Sequence, residues 1–523
     1  MVDTVGGNVT SGNPPSGNAA SGNAATTGGG AIRTNVPARL DRLPWARWHW
    51  LIIIGLGTVW ILDGLEVTIV GNLSGQLAKA GSGLHITASQ VSGFGAASYV
   101  AGACVGALFF GWLTDRFGRK KLFMITLGVY LAATAMTALS FSSWWFFLFR
   151  FLTGLGIGGE YAAINSAIDE LIPARHRGRI DIAINGTFWL GAAIGALVTI
   201  PVLHDFSTGV GWRLAFGLGV VLGLVILLVR RNVPESPRWL FIHGRDREAE
   251  DLVAGIEREV ERETGTRLDD PDHYITIRQR RSIGLWTIVR TLFARYPRRS
   301  VLGLALFIGQ AFLYNAVTFG FAQILETFFK VPSGSTGWYY LMIAGGNLLG
   351  PLLLGPLFDS LGRRVMISGT YLLSGVLLLG TAWLFHSGSL SALSLTLCWC
   401  VVLFFASAGA SAAYLTVSEV FPMETRALAI AVFYAIGTGA GGITGPLLFA
   451  KLVGTGKVSD TVVAFTIGAI LMLAAGLVEA AIGVKAERRS LEDLATPLSA
   501  EDAGTGEPRS AGTRTDGSGL ATV

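Results

Sequence analysis

The sequence predicts an all-α polytopic membrane protein, with twelve transmembrane helices arranged as two pseudo-symmetric six-helix bundles. Composition is the first reason. Hydrophobic residues make up 51% of the 523 residues and charged ones 14%, and the mean hydropathy is +0.53, outside the usual balance of a soluble domain. The second reason is length. Apolar stretches of roughly 20 residues, enough to cross the hydrocarbon core, lie near 48–72, 90–113, 121–140, 144–168, 180–203, 212–231, 300–328, 338–358, 365–386, 392–417, 427–450 and 462–484. The third reason is a repeat. Asp115-Arg116-Phe117-Gly118-Arg119-Lys120, followed by Glu170, Pro173 and Arg177, returns half a chain later as Asp359-Ser360-Leu361-Gly362-Arg363-Arg364, then Glu419, Pro422 and Arg426. Two similar membrane halves are the plan of a transporter that rocks one half against the other.

Taken in order, the elements fall into five regions. Residues 1–44 open with a Gly/Ser/Asn-rich tail without an apolar core and are expected to be disordered and cytoplasmic. Residues 45–232 form the first six-helix bundle, 233–298 a cytoplasmic linker, 299–486 the second bundle, and 487–523 a second disordered tail. Basic residues orient the spans. Arg39, Arg42 and Arg47 precede span one, Arg116, Arg119, Lys120 and Lys121 separate spans two and three, and Arg175, Arg177 and Arg179 follow span four. The connections after spans one, three, five and nine are nearly free of Lys and Arg, so both termini are expected on the cytoplasmic side of a cell membrane. Within the linker, Asp246 to Thr264 alternates acids and bases around Leu252, Val253 and Ile256, the pattern of a surface helix. It is either a solvated connection or a latch on the two halves.

Each D-x-x-G-R-[KR] sits in a very short connection between spans. Gly118 and Gly362 permit the tight turn, while the acid and bases lie close enough to pair across helix ends. Glu170 with Arg177, and Glu419 with Arg426, likewise place an acid at one helix end and a base just beyond. Asp115, Arg119, Glu170, Arg177, Asp359, Arg363, Glu419 and Arg426 are therefore expected to form a cytoplasmic gate.

Other classes find little support. The formal charge of +5 is distributed by topology and not gathered into a nucleic-acid-reading motif. Cys104, Cys398 and Cys400 lie in apolar segments without the partners a metal site needs. No Ser-His-Asp set, H-E-x-x-H or G-x-x-x-x-G-K-[ST] is present, so the chain is not expected to be an enzyme.

The doubled motif resembles that of the major facilitator superfamily. Arg150-x-x-x-Gly154-x-Gly156-x-Gly158 and Pro234-Glu235-Ser236-Pro237-Arg238-Trp239 are similar to signatures of its sugar porters and related metabolite–proton symporters. The match covers about residues 45 to 485. It implies a secondary transporter with no cofactor, driven by the proton gradient.

Charges inside apolar spans are costly and mark function. In span one, Asp63-Gly64-Leu65-Glu66 places two carboxylates on one helical face. Two acids that close in a low dielectric are not ionised together, which suits a proton carrier. The resemblance puts Glu66, five residues before Gly71, at the proton site of coupled members, opposite Arg150 of span four. The bland alternative is that both acids merely line a wet cavity. D-G-x-[DE] is closer to aromatic-acid and metabolite symporters than to sugar porters. Glu160 is a further titratable candidate, although ten residues separate it from Arg150 on one helix.

Polar side chains interrupting the spans supply the expected substrate set: Asn185, Gln310, Asn315, Asn347 and Tyr414. Amides donate and accept, which suits hydroxyls and carboxylates alike. The charged residues of the first half have no obvious counterparts at equivalent places in the second. The expected function is uptake of a sugar, polyol or organic acid by proton symport, with small molecules, protons and the lipid bilayer as partners, no nucleic acid, and a monomeric state. A uniporter, a proton-driven exporter and a nutrient sensor are the alternatives; span five lacks the proline and glycine pair common in exporters.

Overall fold

The computed structural model describes residues 26–27, 31–173, 175–230, 235–269, 274–278, 285–421 and 426–486. The side chains of Asp115, Glu170 and Arg426 lie outside this description, as does the expected C-terminal tail. The first bundle comprises Arg47–Leu77, Ala96–Phe117, Arg119–Ala138, Ser143–Leu171, Arg177–Asp205 and Thr208–Arg230. The second comprises Pro297–Phe329, Thr336–Ser360, Arg363–His386, Ala392–Val420, the pair Arg426–Thr438 and Thr444–Gly454, and Val458–Ile482. These are spans one to twelve. Among the described residues, 11 helices are long and apolar enough to cross a membrane. Ser143–Leu171 is as long as its neighbours, and Arg150 and Glu160 within it lower its hydropathy.

Helix contacts follow the small residues. Methyl groups on Gly154 and Gly158 of span four would overlap the carbonyl oxygens of Tyr99 and Ala103 in span two, and one on Gly156 would lie 2.7 Å from the Tyr130 backbone in span three. The glycines at alternate positions thus seat span four against two neighbours at once, the close approach that membrane helices use in place of hydrophobic drive. Span eleven passes through a π-turn, Gly439–Ile443, just before Pro446. A wide turn there accommodates a residue that cannot donate to the preceding turn. Both repeat turns need their glycines: Gly118 has φ 94° and Gly362 φ 100°.

The two bundles meet chiefly along spans five and eight, two and eleven, and one and seven, with spans four and ten also touching the opposite half. The linker lies at one end, called here the linker face. Its helix Asp246–Thr264 buries Ala249, Val253, Ile256 and Val260 against Pro237–Ile242 and the start of span one. Among the described residues it is thus packed on the first half.

The expectation of disorder through residue 44 fails for its last part. Ala31–Thr34 pairs antiparallel with Ile275–Arg278 of the linker and with Thr26–Thr27, a small sheet outside the otherwise helical fold. Val36–Asp41 forms a helix that buries Val36, Pro37 and Leu40. Arg39 reaches Glu250 at 2.5 Å and Glu257 at 2.6 Å, and Arg42 also reaches Glu257 at 2.6 Å. Burial pushes the Glu257 carboxyl up, but the hydrogen bonds from Arg39 and Arg42 outweigh it and hold the group below the ordinary carboxylate value. Asp41 meets Arg177 at 3.2 Å. The segment straps the linker helix to the start of span five.

Candidate functional site: a central cavity beside a buried ion pair

Between the bundles lies a cavity with space for the centres of several water molecules, about 120 Å³. The first half supplies Trp60, Asp63 and Val67 from span one, Tyr99 and Val100 from span two, Tyr161 from span four, and Asn185, Phe188 and Trp189 from span five. The second half contributes Gln310, Tyr314, Asn315 and Thr318 from span seven, Ser407, Ser411 and Tyr414 from span ten, and Tyr434 and Thr438 from span eleven. Four rings close the wall towards the linker face. Trp60 stacks on Tyr161 at 4.8 Å and 14°, Tyr161 lies 4.8 Å from Tyr434, and Tyr414 sits edge-on to Trp60 at 5.6 Å.

The two acids of span one part company. Asp63 faces the cavity, where the hydroxyls of Tyr99 and Tyr161 donate to its two oxygens. Glu66, one turn on, turns into the first bundle and pairs with Arg150, both 0% exposed. The pair is single-pointed: Arg150 Nη1 meets Glu66 Oε1, while among the described residues Arg150 Nη2 and Glu66 Oε2 find no hydrogen-bond partner. Such a pair is costly to build in a low dielectric and easily released when one member is neutralised. The guanidinium also lies 4.6 Å over the Tyr99 ring. A short chain of contacts therefore runs from Glu66 through Arg150 and Tyr99 to Asp63 at the cavity wall.

Of the expected substrate residues, Asn185, Gln310, Asn315 and Tyr414 line the cavity. Asn347 does not. It accepts from the Tyr314 hydroxyl at 3.2 Å and donates to the Ile343 carbonyl at 2.9 Å, so it positions Tyr314 from behind. Glu160 is buried away from the cavity, where the Thr126 hydroxyl donates to it at 3.2 Å. Sequence reasoning missed the aromatic wall. Trp60, Tyr99, Tyr161, Trp189, Tyr314 and Tyr434 sit in apolar spans where an aromatic residue marks lipid or core as readily as a site. It also missed Glu479 of span twelve, 0% exposed, an acid of the second half that stands apart from the cavity.

Both ends of the cavity are bridged across the halves. At the linker face, the Arg179 N–H at the start of span five donates to Asp359 at 2.9 Å. Asp359 also meets Arg363 at 3.3 Å, and Arg363 pairs with Glu419. Arg363, the base of the repeat turn, enters the bundle beside span ten and so reaches Glu419; the expected partner Arg426 lies outside the described side chains. Arg177, expected beside Glu170, meets Asp41. In the first turn it is linker residue Glu235 that accepts from the Arg119 N–H at 2.9 Å. At the opposite face the Ser92 hydroxyl donates to Gln323 at 2.9 Å, and Gly71 lies so close to span seven that a methyl group there would be 2.6 Å from the Thr318 carbonyl oxygen.

A cavity at the interface of two six-helix bundles, bridged at both ends by contacts across the halves, is the architecture of a membrane transporter and not of an enzyme. Residues 49–496 match the family model described as "Sugar (and other) transporter", and the chain belongs to that family. It is 27% identical to the niacin transporter NiaP of Acinetobacter baylyi over 462 residues, 87% of this chain and 99% of that one. It is also 27% identical to the arabinose-proton symporter of Bacillus subtilis, over 76% of this chain and 86% of the other. Its fold is shared with the major facilitator proton:xylose symporter XylE at a TM-score of 0.70 and 19% identity, covering 86% of this chain and 98% of that one.

Proposed function

We propose that this transporter carries a small polar metabolite across a cell membrane by alternating access, coupled to protons moving in the same direction. The observation that carries the reading is the buried Glu66–Arg150 pair one turn from a cavity-lining acid. A proton on Glu66 removes the charge that holds Arg150. The guanidinium, already stacked on Tyr99, then biases spans one, two and four, and the bundles exchange one closed end for the other. Asp63, linked to the same arginine through Tyr99, is the second member of this proton site. The bridge from Asp359 to Arg179, with Arg363 and Glu419 behind it, acts as the gate at the linker face. The basic turns favour the cytoplasm for that face and for both termini.

Support for the cargo class comes from the relatives. One is named for niacin and another for arabinose and protons, both small polar metabolites. The amides of Asn185, Gln310 and Asn315 at the cavity offer hydrogen bonds suited to such molecules.

Proteoliposomes holding the purified chain test the reading. An imposed inward proton gradient is expected to drive accumulation of a metabolite above its equilibrium level, with accumulation lost in Glu66→Gln. Equilibration that ignores the gradient would make the protein a uniporter, and binding without flux would make it a sensor.

A further inference from the structure

The charge balance of the cavity narrows the cargo. Eight aromatic residues line it, and among the described lining residues there is one carboxylate, Asp63, with no lysine, arginine or histidine. The cation that a carboxylate ligand would need is close by but spent. Arg150 is 0% exposed and held by Glu66, and the Tyr99 ring stands between it and the cavity. Glu66 and Arg150 neutralise one another, and the structure separates Asp63 from Glu66 by turning the two acids to different partners, so the charge at the wall is set by Asp63. An anion entering the cavity meets like charge without a counter-ion in a medium of low dielectric.

The aromatic faces point the same way. Rings carry negative faces and favour flat, electron-poor or cationic partners. Tyr99 spends its hydroxyl hydrogen on Asp63, so its oxygen has only lone pairs left to offer a ligand. Asn315 commits one amide hydrogen to the Ala311 carbonyl of its own helix at 2.9 Å, which leaves its carbonyl oxygen and its second N–H for a ligand. The wall is therefore rich in acceptors and π-faces and poor in positive donors.

We infer that Asp63 is a charge filter, and that the cavity takes a flat ring ligand carrying N–H donors and no negative charge, in preference to carboxylates and to polyhydroxylated sugars. This rests on the transporter reading above and sharpens its cargo.

A matched series on one pyridine ring separates the possibilities: nicotinamide as the neutral probe, N-methylnicotinamide as the cation and nicotinate as the anion, with xylose as the saturated control. Calorimetric titration of the full-length protein in detergent is expected to show the neutral or cationic ring binding at least about tenfold tighter than nicotinate and xylose. In Asp63→Asn the advantage over nicotinate should shrink to near parity. Should that variant fail to give a monodisperse protein, Trp60→Leu serves instead: loss of the Trp60 ring is expected to weaken the flat probes about tenfold, and unchanged binding of those probes would overturn the inference. Nicotinate or xylose as the tightest ligand, a ratio unmoved by Asp63→Asn, or failure of every flat probe to bind would overturn the inference. Proteoliposome flux of the same probes keeps the two readings apart. Proton-driven accumulation of nicotinate or xylose would sink the charge filter and leave symport standing. Selective binding of the neutral ring without proton-driven accumulation would do the reverse.

Discussion

The two halves of this transporter share a backbone plan and divide the chemistry. The first half brings to the centre a carboxylate at the cavity, Asp63, and behind it the buried pair of Glu66 and Arg150. The second half faces the same cavity with Gln310, Asn315, Ser407, Ser411, Tyr414 and Tyr434, none of which is charged at neutral pH. Among the described residues, Glu235 of the linker caps the helix start at the first repeat turn, and Asp359 of the second turn reaches across to span five. The buried ionisable groups beside the cavity come from the first half.

The sharpest way to break this comparison is to neutralise the charged half. Glu66→Gln leaves Arg150 buried without its partner, at a cost of about 3–5 kcal/mol. Proton-driven accumulation in proteoliposomes should vanish and the melting temperature should fall. A Glu66→Gln/Arg150→Met double variant is expected to regain much of the stability and none of the accumulation; recovered accumulation would remove Glu66 from the coupling step.

Next in size is the tie from the second half. Asp359→Asn weakens a charge-assisted cap and the contact with Arg363, about 1–3 kcal/mol in favour of opening. With Ser411→Cys in the cavity of a protein otherwise lacking cysteine, a polar thiol reagent applied at the linker face should react several times faster when Asp359→Asn is added. An unchanged rate would show that this contact does not hold the face closed.

The neutral half should reveal itself in KM. Gln310→Ala, at the wall, is expected to raise KM about tenfold, whereas Asn347→Ala, behind Tyr314, should raise it only two- to threefold. Equal effects would erase the distinction between lining and supporting residues.

The smallest effect belongs to the strap on the first half. Glu257 is held below the ordinary carboxylate value by Arg39 and Arg42, so its contribution is present above that ordinary value and is lost as pH falls through its folded-state value. Hydrogen exchange in Val36–Asp41 should therefore quicken as pH drops below the ordinary carboxylate value, after correction for intrinsic rates, and Arg39→Ala should quicken it at neutral pH, a loss of roughly 0.5–1 kcal/mol.

Span number, the two-half plan and the glycine turns were legible because each rests on a local rule: apolar length, repeat spacing, and a φ of 94° or 100° that favours glycine. Asp63, Glu66 and Arg150 were legible because charge in an apolar span is rare. The aromatic wall was not, since Trp60 and Tyr434 look like any ring in a membrane helix until seven spans converge on one cavity. Nor were the gate partners. Arg363 could have met several acids at comparable separation along the chain, and the packing of spans eight to ten brings Asp359 and Glu419 to it.

The sequence by itself determined the class of protein, the presence of acids and an arginine inside apolar spans and the places where helices approach closely, because those follow from composition, spacing and the size of single residues. The tertiary structure alone decided which acid faces the cavity and which faces Arg150. Asp63 and Glu66 are three residues apart on one helix, nearly a full turn, and only the neighbours on either side of that face, tyrosines around one and a guanidinium against the other, separate their roles.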